Sequence, residues 1–164
     1  MRNFPIKIDT QEFWISRSIA TVGFVICVAS KKVFILVNKR GNGTPDYQGF
    51  WNCPCGYLDY HETLKEGCAR EIYEETNFKI DPNELHLWSI NDDPNDNLRQ
   101  NVTFRYYAVV KDAALMQKIY AKGQENDEVA DCMWLNVKDI DRYDWAFGHK
   151  DLIKEILKTL NIKI

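Results

Sequence analysis

The stretch Gly56-Tyr57-Leu58-Asp59-Tyr60-His61-Glu62-Thr63-Leu64-Lys65-Glu66-Gly67-Cys68-Ala69-Arg70-Glu71-Ile72-Tyr73-Glu74-Glu75-Thr76-Asn77-Phe78 is the most informative part of this chain. Its spacing predicts a helix from near Glu62 to Thr76, closed by Asn77 in the left-handed position that ends many helices. Glu71, Glu74 and Glu75 stand at i, i+3 and i+4, so the helix puts all three on one face. Leu64, Cys68, Ala69 and Ile72 form a separate apolar stripe that would pack on a core. Three adjacent carboxylates repel one another and raise each other's pKa unless a cation sits among them. Hard oxygen ligands suit Mg2+ or Mn2+. An isolated Glu-x-x-Glu-Glu is also what a solvated helix face looks like. Gly56, Glu62 and Arg70 in fixed register favour the metal, although an acid at the helix start also serves as a cap.

Working outward, the composition fits an ordinary globular protein: 45% of residues are apolar and 27% charged. One domain over residues 1–164 is expected. The net charge of −3 argues against a surface built for duplex nucleic acid but leaves room for a small phosphate ligand. Ile19 to Ala29 is too short for a membrane span and contains Thr21 and Gly23. Met1-Arg2-Asn3-Phe4-Pro5 lacks the apolar core of an export signal. The odd set Cys27, Cys53, Cys55, Cys68 and Cys132 reads as reduced thiols, so a cytoplasmic setting is expected. Cys53-Pro54-Cys55 with His61 lacks the usual spacing of a zinc site.

Ile19 to Ala29 and Val33 to Asn38 read as strands joined by a tight turn at Ser30-Lys31-Lys32. Arg40 to Gly49 is a loop of turn formers. Leu85 to Ile90, Val102 to Val110 and Val129 to Leu135 are further strands, and Asn91 to Gln100 is a polar loop. Asp112 is positioned to cap a short helix from Ala113 to Tyr120. Val137 to Ile140 reads as a helical turn, and Lys150 to Leu160 as an amphipathic helix.

Gly56, five residues, Glu62, seven residues, and then Arg70-Glu71-Ile72-Tyr73-Glu74-Glu75-Thr76-Asn77-Phe78 resembles the signature of the Nudix hydrolases. Asn77 replaces a Gly of that pattern. Cys55 and His61 stand where the family commonly has further glycines. The resemblance implies an α/β fold, an α/β/α sandwich with a central mixed β-sheet. It implies divalent cations on the signature helix that hold a diphosphate while water attacks one phosphorus. By position, Glu71, Glu74 and Glu75 would be the metal residues, joined by the backbone carbonyl of Cys55. Glu62 would orient water or a second metal, and Arg70 and Gly56 would support the site. The base is not fixed across the family; Glu128 is favoured here, as base or extra ligand, with Glu125 the alternative.

Arg40, Arg99 and Arg105 are candidates for phosphate contact. Phe50 and Trp145, with Tyr47 and Phe147, lie in loops suited to stacking a base. Trp51 and Trp134 are expected in the core, and His149 as a structural cap of the last helix. The expected function is a Mg2+-dependent (Mn2+ as the alternative) pyrophosphohydrolase. Its substrate would be a nucleoside diphosphate linked to another group, with nucleotide sugars such as ADP-ribose ahead of nucleoside triphosphates. A homodimer is compatible with this reading. The alternative is a non-catalytic Nudix domain that senses a nucleotide or binds a partner.

Overall fold

The computed structural model describes residues 4–95, 101–111 and 127–163. The expected helix at 113–120, Arg99 and Glu125 lie outside these residues. Strands β1 (Phe4–Ile8) and β2 (Gln11–Ile15) form a two-stranded antiparallel sheet. The main sheet has seven strands: β3 (Ser18–Ala29), β4 (Lys32–Arg40), β5 (Trp51–Asn52), β6 (Cys55–Tyr57), β7 (His86–Asn91), β8 (Asn101–Val110) and β9 (Val129–Asn136). Its order is β5-β4-β3-β8-β7, with β6 added to β3 and β9 to β4. The β3–β8 pair is parallel and the others are antiparallel, so the sheet is mixed as expected. Ser30 and Lys31 turn β3 into β4 with φ of 50° and 61°, the backbone signs of a type I′ hairpin turn.

Helix α1 (Leu64–Thr76) covers one face of this sheet and α2 (His149–Thr159) the other. Val22, Phe24 and Ile26 of β3, with Val33, Ile35 and Val37 of β4, pack with Ile153, Ile156 and Leu157 of α2. Val25 and Leu36 point the opposite way and meet Cys68, Ala69 and Ile72 of α1, with Tyr106 and Ala108 of β8. Burial on both faces is why β3 reads as a continuous apolar run rather than an alternating one. α1 lies close to β3 because residue 23 is Gly: a Cβ there would stand 2.6 Å from Ile72 Cδ1. Ile72 is fully buried, and cutting it to Ala would cost roughly 2–5 kcal/mol.

Each helix start has a cap of its own. Thr63 is the N-cap of α1, and its capping box with Glu66 satisfies the first amides. Glu62 therefore does not cap; its carboxylate is held by Arg70 instead. Gly148 is the N-cap of α2, so His149 is its first residue rather than its cap. Asn77 ends α1 at φ 58°, as expected from its place in the pattern. The β1–β2 hairpin and the short β5 and β6 had no clear sequence signal. Val137–Arg142 forms a 3-10 helix where a helical turn was expected. Among the described residues no helix is long and apolar enough to cross a membrane.

Candidate active site

One end of the main sheet, the side of α1, the loop after β4 and the start of α2 enclose a cleft of about 440 Å3. α1 delivers its acids there because its apolar stripe is pinned on β3 and β4. Glu71 and Glu75 line the cleft, and Glu128 enters from just before β9. The Glu128 carbonyl accepts from the Gly41 amide at 2.7 Å, which ties that segment to the loop after β4. Glu74 lies on the more exposed flank of the helix, outside the cleft lining, and accepts from Arg70 Nη1 at 2.9 Å.

Arg70 is the hub of the helix face. Its Nε and Nη2 donate to the two oxygens of Glu62 at 3.0 and 2.7 Å. Its Nη1 donates to Glu71 and Glu74 at 2.8 and 2.9 Å, and its Nη2 also reaches the Tyr57 carbonyl at 3.0 Å. Arg70 holds Glu62 below the usual carboxylate range, helped by the Asp59 amide. Glu62 is outside the cleft lining and is tied to it through Arg70, which does line it. Gly56 lies against Glu71: a Cβ at that position would overlap the Glu71 carboxylate. The signature Gly is thus a steric requirement of the acid beside it.

Glu75 Oε2 accepts from the Cys55 amide at 3.0 Å. Its surface is partly accessible from the cleft, yet it lies deep among protein atoms and is poorly hydrated. Burial pushes its carboxyl well above the ordinary range, and the charge of Glu71 adds to this. Glu71 is raised as well, mainly by burial, with the Arg70 hydrogen bond opposing. Two poorly hydrated acids in one cleft form a donor set that a divalent cation would relieve. Among the described residues no three His, Cys, Asp or Glu side chains converge closely enough to hold a metal by themselves. A divalent cation held here would complete its shell with substrate phosphates and water.

Cys55 is the sheet residue beside these acids. Asn52 Nδ2 donates to its sulfur at 3.4 Å, and burial with the Glu75 charge pushes the thiol strongly up, so it stays protonated. Cys53 is fully buried and its amide donates to His149 Nδ1 at 3.0 Å. His149 is pulled down to about 3 by burial, then by the nearby Arg105 and Arg40, so it is a neutral acceptor.

Arg40 and Phe147 also line the cleft, and the Arg40 charge opposes the rise of Glu75. Arg40 donates to the carboxylate and carbonyl of Asp46 at 2.9 and 3.0 Å, and its guanidinium lies 4.8 Å from the Phe147 ring centre. Phe147 has φ 57°, a sparsely populated conformation for an aromatic residue. Tyr47 meets both Phe147 and Phe50 edge to face. Phe50 lies behind Tyr47, outside the cleft lining. Trp145 packs against the α2-side core with Nε1 bonded to the Ile140 carbonyl, so it is absent from the cleft wall. Trp51 is buried as expected, and Trp134 packs on Phe78. Tyr57, Asn91, Asp93, Asn101 and Thr103 complete the cleft. Only the register of β8 with β3 and β7 brings most of them there, and no linear spacing announces that register.

A family model, the NUDIX domain, matches residues 17–156. The phosphatase NudJ of Escherichia coli K12 is 26% identical over 123 residues, covering 73% of this chain and 69% of that protein. The NUDIX domain of Shewanella oneidensis NrtR, solved with ADP ribose, is 20% identical with a TM-score of 0.71, covering 89% of this chain and 90% of that one. NrtR has also been solved with a 27mer DNA. A bifunctional NMN adenylyltransferase/ADP ribose pyrophosphatase of Francisella tularensis, solved with AMP and a Mn ion, is 22% identical with a TM-score of 0.70. It is covered over 42% of its length, against 87% of this chain. The family match takes in the signature helix, the cleft and both faces of the sheet, and on that ground the chain belongs to the Nudix family and is a Nudix hydrolase.

Proposed function

We propose that this hydrolase is a divalent-metal-dependent pyrophosphohydrolase acting on a nucleoside diphosphate linked to another group. Nucleotide sugars such as ADP-ribose stand ahead of nucleoside triphosphates, and Mg2+ ahead of Mn2+. The observation that carries this reading is that Glu71, Glu75 and Glu128 line one cleft whose two helix acids are both raised by burial. In this reading Glu71, Glu74 and Glu75, with the carbonyl of Cys55, hold the metal. A bound divalent metal supplies charge neutralisation for the phosphate oxygens and a lower pKa for bound water. Glu128 takes a proton from the attacking water. Arg70, steadied by Glu62, orients Glu71 and Glu74, and Gly56 leaves room for Glu71. Arg40 and Phe147 form a wall for the nucleotide half. Phe50 and Trp145 are left with supporting roles behind that wall.

The net charge of −3 supports a small-molecule substrate rather than duplex nucleic acid. The fold alone does not exclude DNA, given the NrtR complex. The same reading keeps residues 1–164 as one cytoplasmic domain, alone or as a homodimer. The deciding experiment is a panel of nucleotide sugars, nucleoside triphosphates and dinucleotides with Mg2+, products identified by mass. Turnover that stops in chelator is the expected result. Binding without any product would replace this reading with a nucleotide-sensing one.

A further inference from the structure

His149 is the first residue of α2, three places before Leu152, so the two share one face of the helix, and both line the cleft. The imidazole is only 3% exposed, and its orientation is fixed from several sides. Its ring lies 6.0 Å from the buried Phe24 ring and 5.4 Å from the Phe147 ring, edge to face with both. Its Nδ1 accepts from the Cys53 amide at 3.0 Å. A backbone amide can only donate, so Nδ1 carries no proton and the single proton of the ring is on Nε2. Burial, with Arg105 and Arg40 nearby, keeps the ring neutral as this bond requires.

His149 is therefore locked in one tautomer, as a donor through Nε2–H. Cys53 is fully buried, so the ring edge that carries Nε2 is the one turned away from it, towards the cleft. Among the described residues no group accepts from Nε2–H. A donor this deep in the protein is costly to leave without an acceptor. The neighbours of the donor indicate which acceptor fits. Phe147, Leu152, Ala20 and Val22 line the same cleft, and the Arg40 guanidinium near the Phe147 ring is paired with Asp46. One neutral donor beside apolar side chains suits a flat heterocycle with a ring nitrogen or carbonyl oxygen on its edge. A phosphoryl group carries its charge on several oxygens and is better served by a divalent cation at the helix acids.

We propose that His149 is a substrate-binding residue that donates Nε2–H to the edge of the substrate's nucleobase, and so fixes the base beside Phe147 and Leu152. This rests on the pyrophosphohydrolase reading for its substrate. The bond from Cys53 then has a purpose beyond packing, since it chooses which ring nitrogen faces the substrate.

The probes are AMP, GMP, UMP and CMP, with ribose 5-phosphate as the base-free control, titrated calorimetrically against the full chain in Mg2+. None has a phosphoanhydride to cleave. The wild type is expected to bind the best of the four at least about tenfold more tightly than ribose 5-phosphate. Two variants separate the two ring nitrogens. His149→Asn places an oxygen near the position of Nδ1, keeps an acceptor for Cys53 and withdraws the donor. It should melt close to wild type and lose about five- to tenfold in affinity for that nucleotide, the scale of one hydrogen bond, with ribose 5-phosphate unchanged. His149→Gln places an amide donor near the position of Nε2 and leaves the Cys53 amide unpaired. It should melt lower, yet keep most of the base preference well below its melting temperature. A base preference kept in His149→Asn overturns the proposal and leaves His149 a strut for Cys53. Equal losses for the nucleotide and ribose 5-phosphate overturn it too, by placing the acceptor on the phosphate or the ribose, as does a wild type without base preference.

Should His149→Asn not fold, nitrogen NMR of the wild type with labelled histidine carries the test. It should show the His149 proton on Nε2, and a shift of that group with the nucleotide but not with ribose 5-phosphate. A proton on Nδ1, or the same response to both ligands, overturns the proposal. Turnover separates this inference from the functional reading. With the compound hydrolysed fastest in the panel, His149→Asn should raise KM about tenfold with a smaller effect on kcat. Kinetics unchanged in His149→Asn sink the role of His149 and leave the hydrolase intact. A base preference lost in His149→Asn, with no compound hydrolysed by the wild type, sinks the functional reading and leaves the base site.

Discussion

The Cys55 amide donates to Glu75 Oε2 at 3.0 Å, so a strand next to β3 holds a carboxylate from the helix packed on that strand. This single bond joins the sheet to the acid most displaced from its ordinary titration. It fixes the carboxylate without neutralising it, since a neutral amide carries no net charge.

The first prediction concerns that acid. Burial raises the Glu75 carboxyl above the ordinary value of 4.5, so the folded chain holds a proton that the unfolded chain releases. Stability is then greatest below the ordinary value and falls as pH rises through the window up to the raised one. Glu71 is displaced in the same direction and adds to the fall. In chelator, the melting temperature of the wild type should drop as pH rises from 4.5 towards neutrality. Glu75→Gln still accepts from the Cys55 amide and carries no charge, so it should flatten part of that drop and melt higher than wild type at neutral pH. Its kcat should fall by about two orders of magnitude or more. Equal melting profiles for the two proteins would show that Glu75 is not a buried charge.

The second prediction follows from Gly56. A Cβ at that position overlaps the Glu71 carboxylate. Gly56→Ala should therefore cost about 1–3 kcal/mol, the usual price of overpacking, and should lower kcat by displacing Glu71. If Glu71 is the obstacle, the stability loss should largely vanish in the Glu71→Ala background, and a double-mutant cycle in urea measures it. Additive losses would place the strain elsewhere in the loop.

The third prediction concerns Glu128, whose backbone is anchored to Gly41 while its side chain reaches the cleft. If it takes the proton from water, Glu128→Gln should lower kcat at least about a hundredfold, with KM little changed. Glu125→Gln should then be nearly silent. The reverse pattern would transfer the role to Glu125, and silence in both would return it to the helix acids.

The helix and its acids were legible because a 3.6-residue period carries both the apolar stripe and the Glu cluster in one continuous segment. Asn77 at the end of α1 was legible for a similar reason, being a local backbone preference. The partner of Glu62 was not legible, because capping and ion pairing draw on the same residue type. Thr63 takes the cap, and only the fold brings Arg70 across two helical turns to Glu62. The aromatic candidates divided for a reason that no sequence window contains. Phe147 and Trp145 are two residues apart, but the left-handed backbone at 147 leaves one ring in the cleft while the other packs in the core. The floor was hidden altogether, because Tyr57, Thr103 and Asn91 become neighbours only through strand register.

The fourth prediction tests the departure from the family pattern closest to the chemistry. Cys55 contributes two separable things, a backbone that holds Glu75 and lies at the cleft, and a thiol that accepts weakly from Asn52. The thiol is pushed strongly upward by burial and by the Glu75 charge, so it stays protonated at neutral pH. A protonated thiol is a poor metal ligand, and Mg2+ prefers oxygen in any case. Cys55→Gly should therefore keep Mg2+-supported turnover within about threefold, since it removes no charge and no oxygen donor from the site. It should lose about 1 kcal/mol of stability from added backbone freedom and the lost Asn52 contact. Inhibition by Zn2+ in competition with Mg2+ should be the same in both proteins. A collapse of Mg2+-supported kcat in Cys55→Gly, or Zn2+ inhibition confined to the wild type, would instead put the sulfur in the metal shell and make this site chemically distinct from one built on oxygen alone.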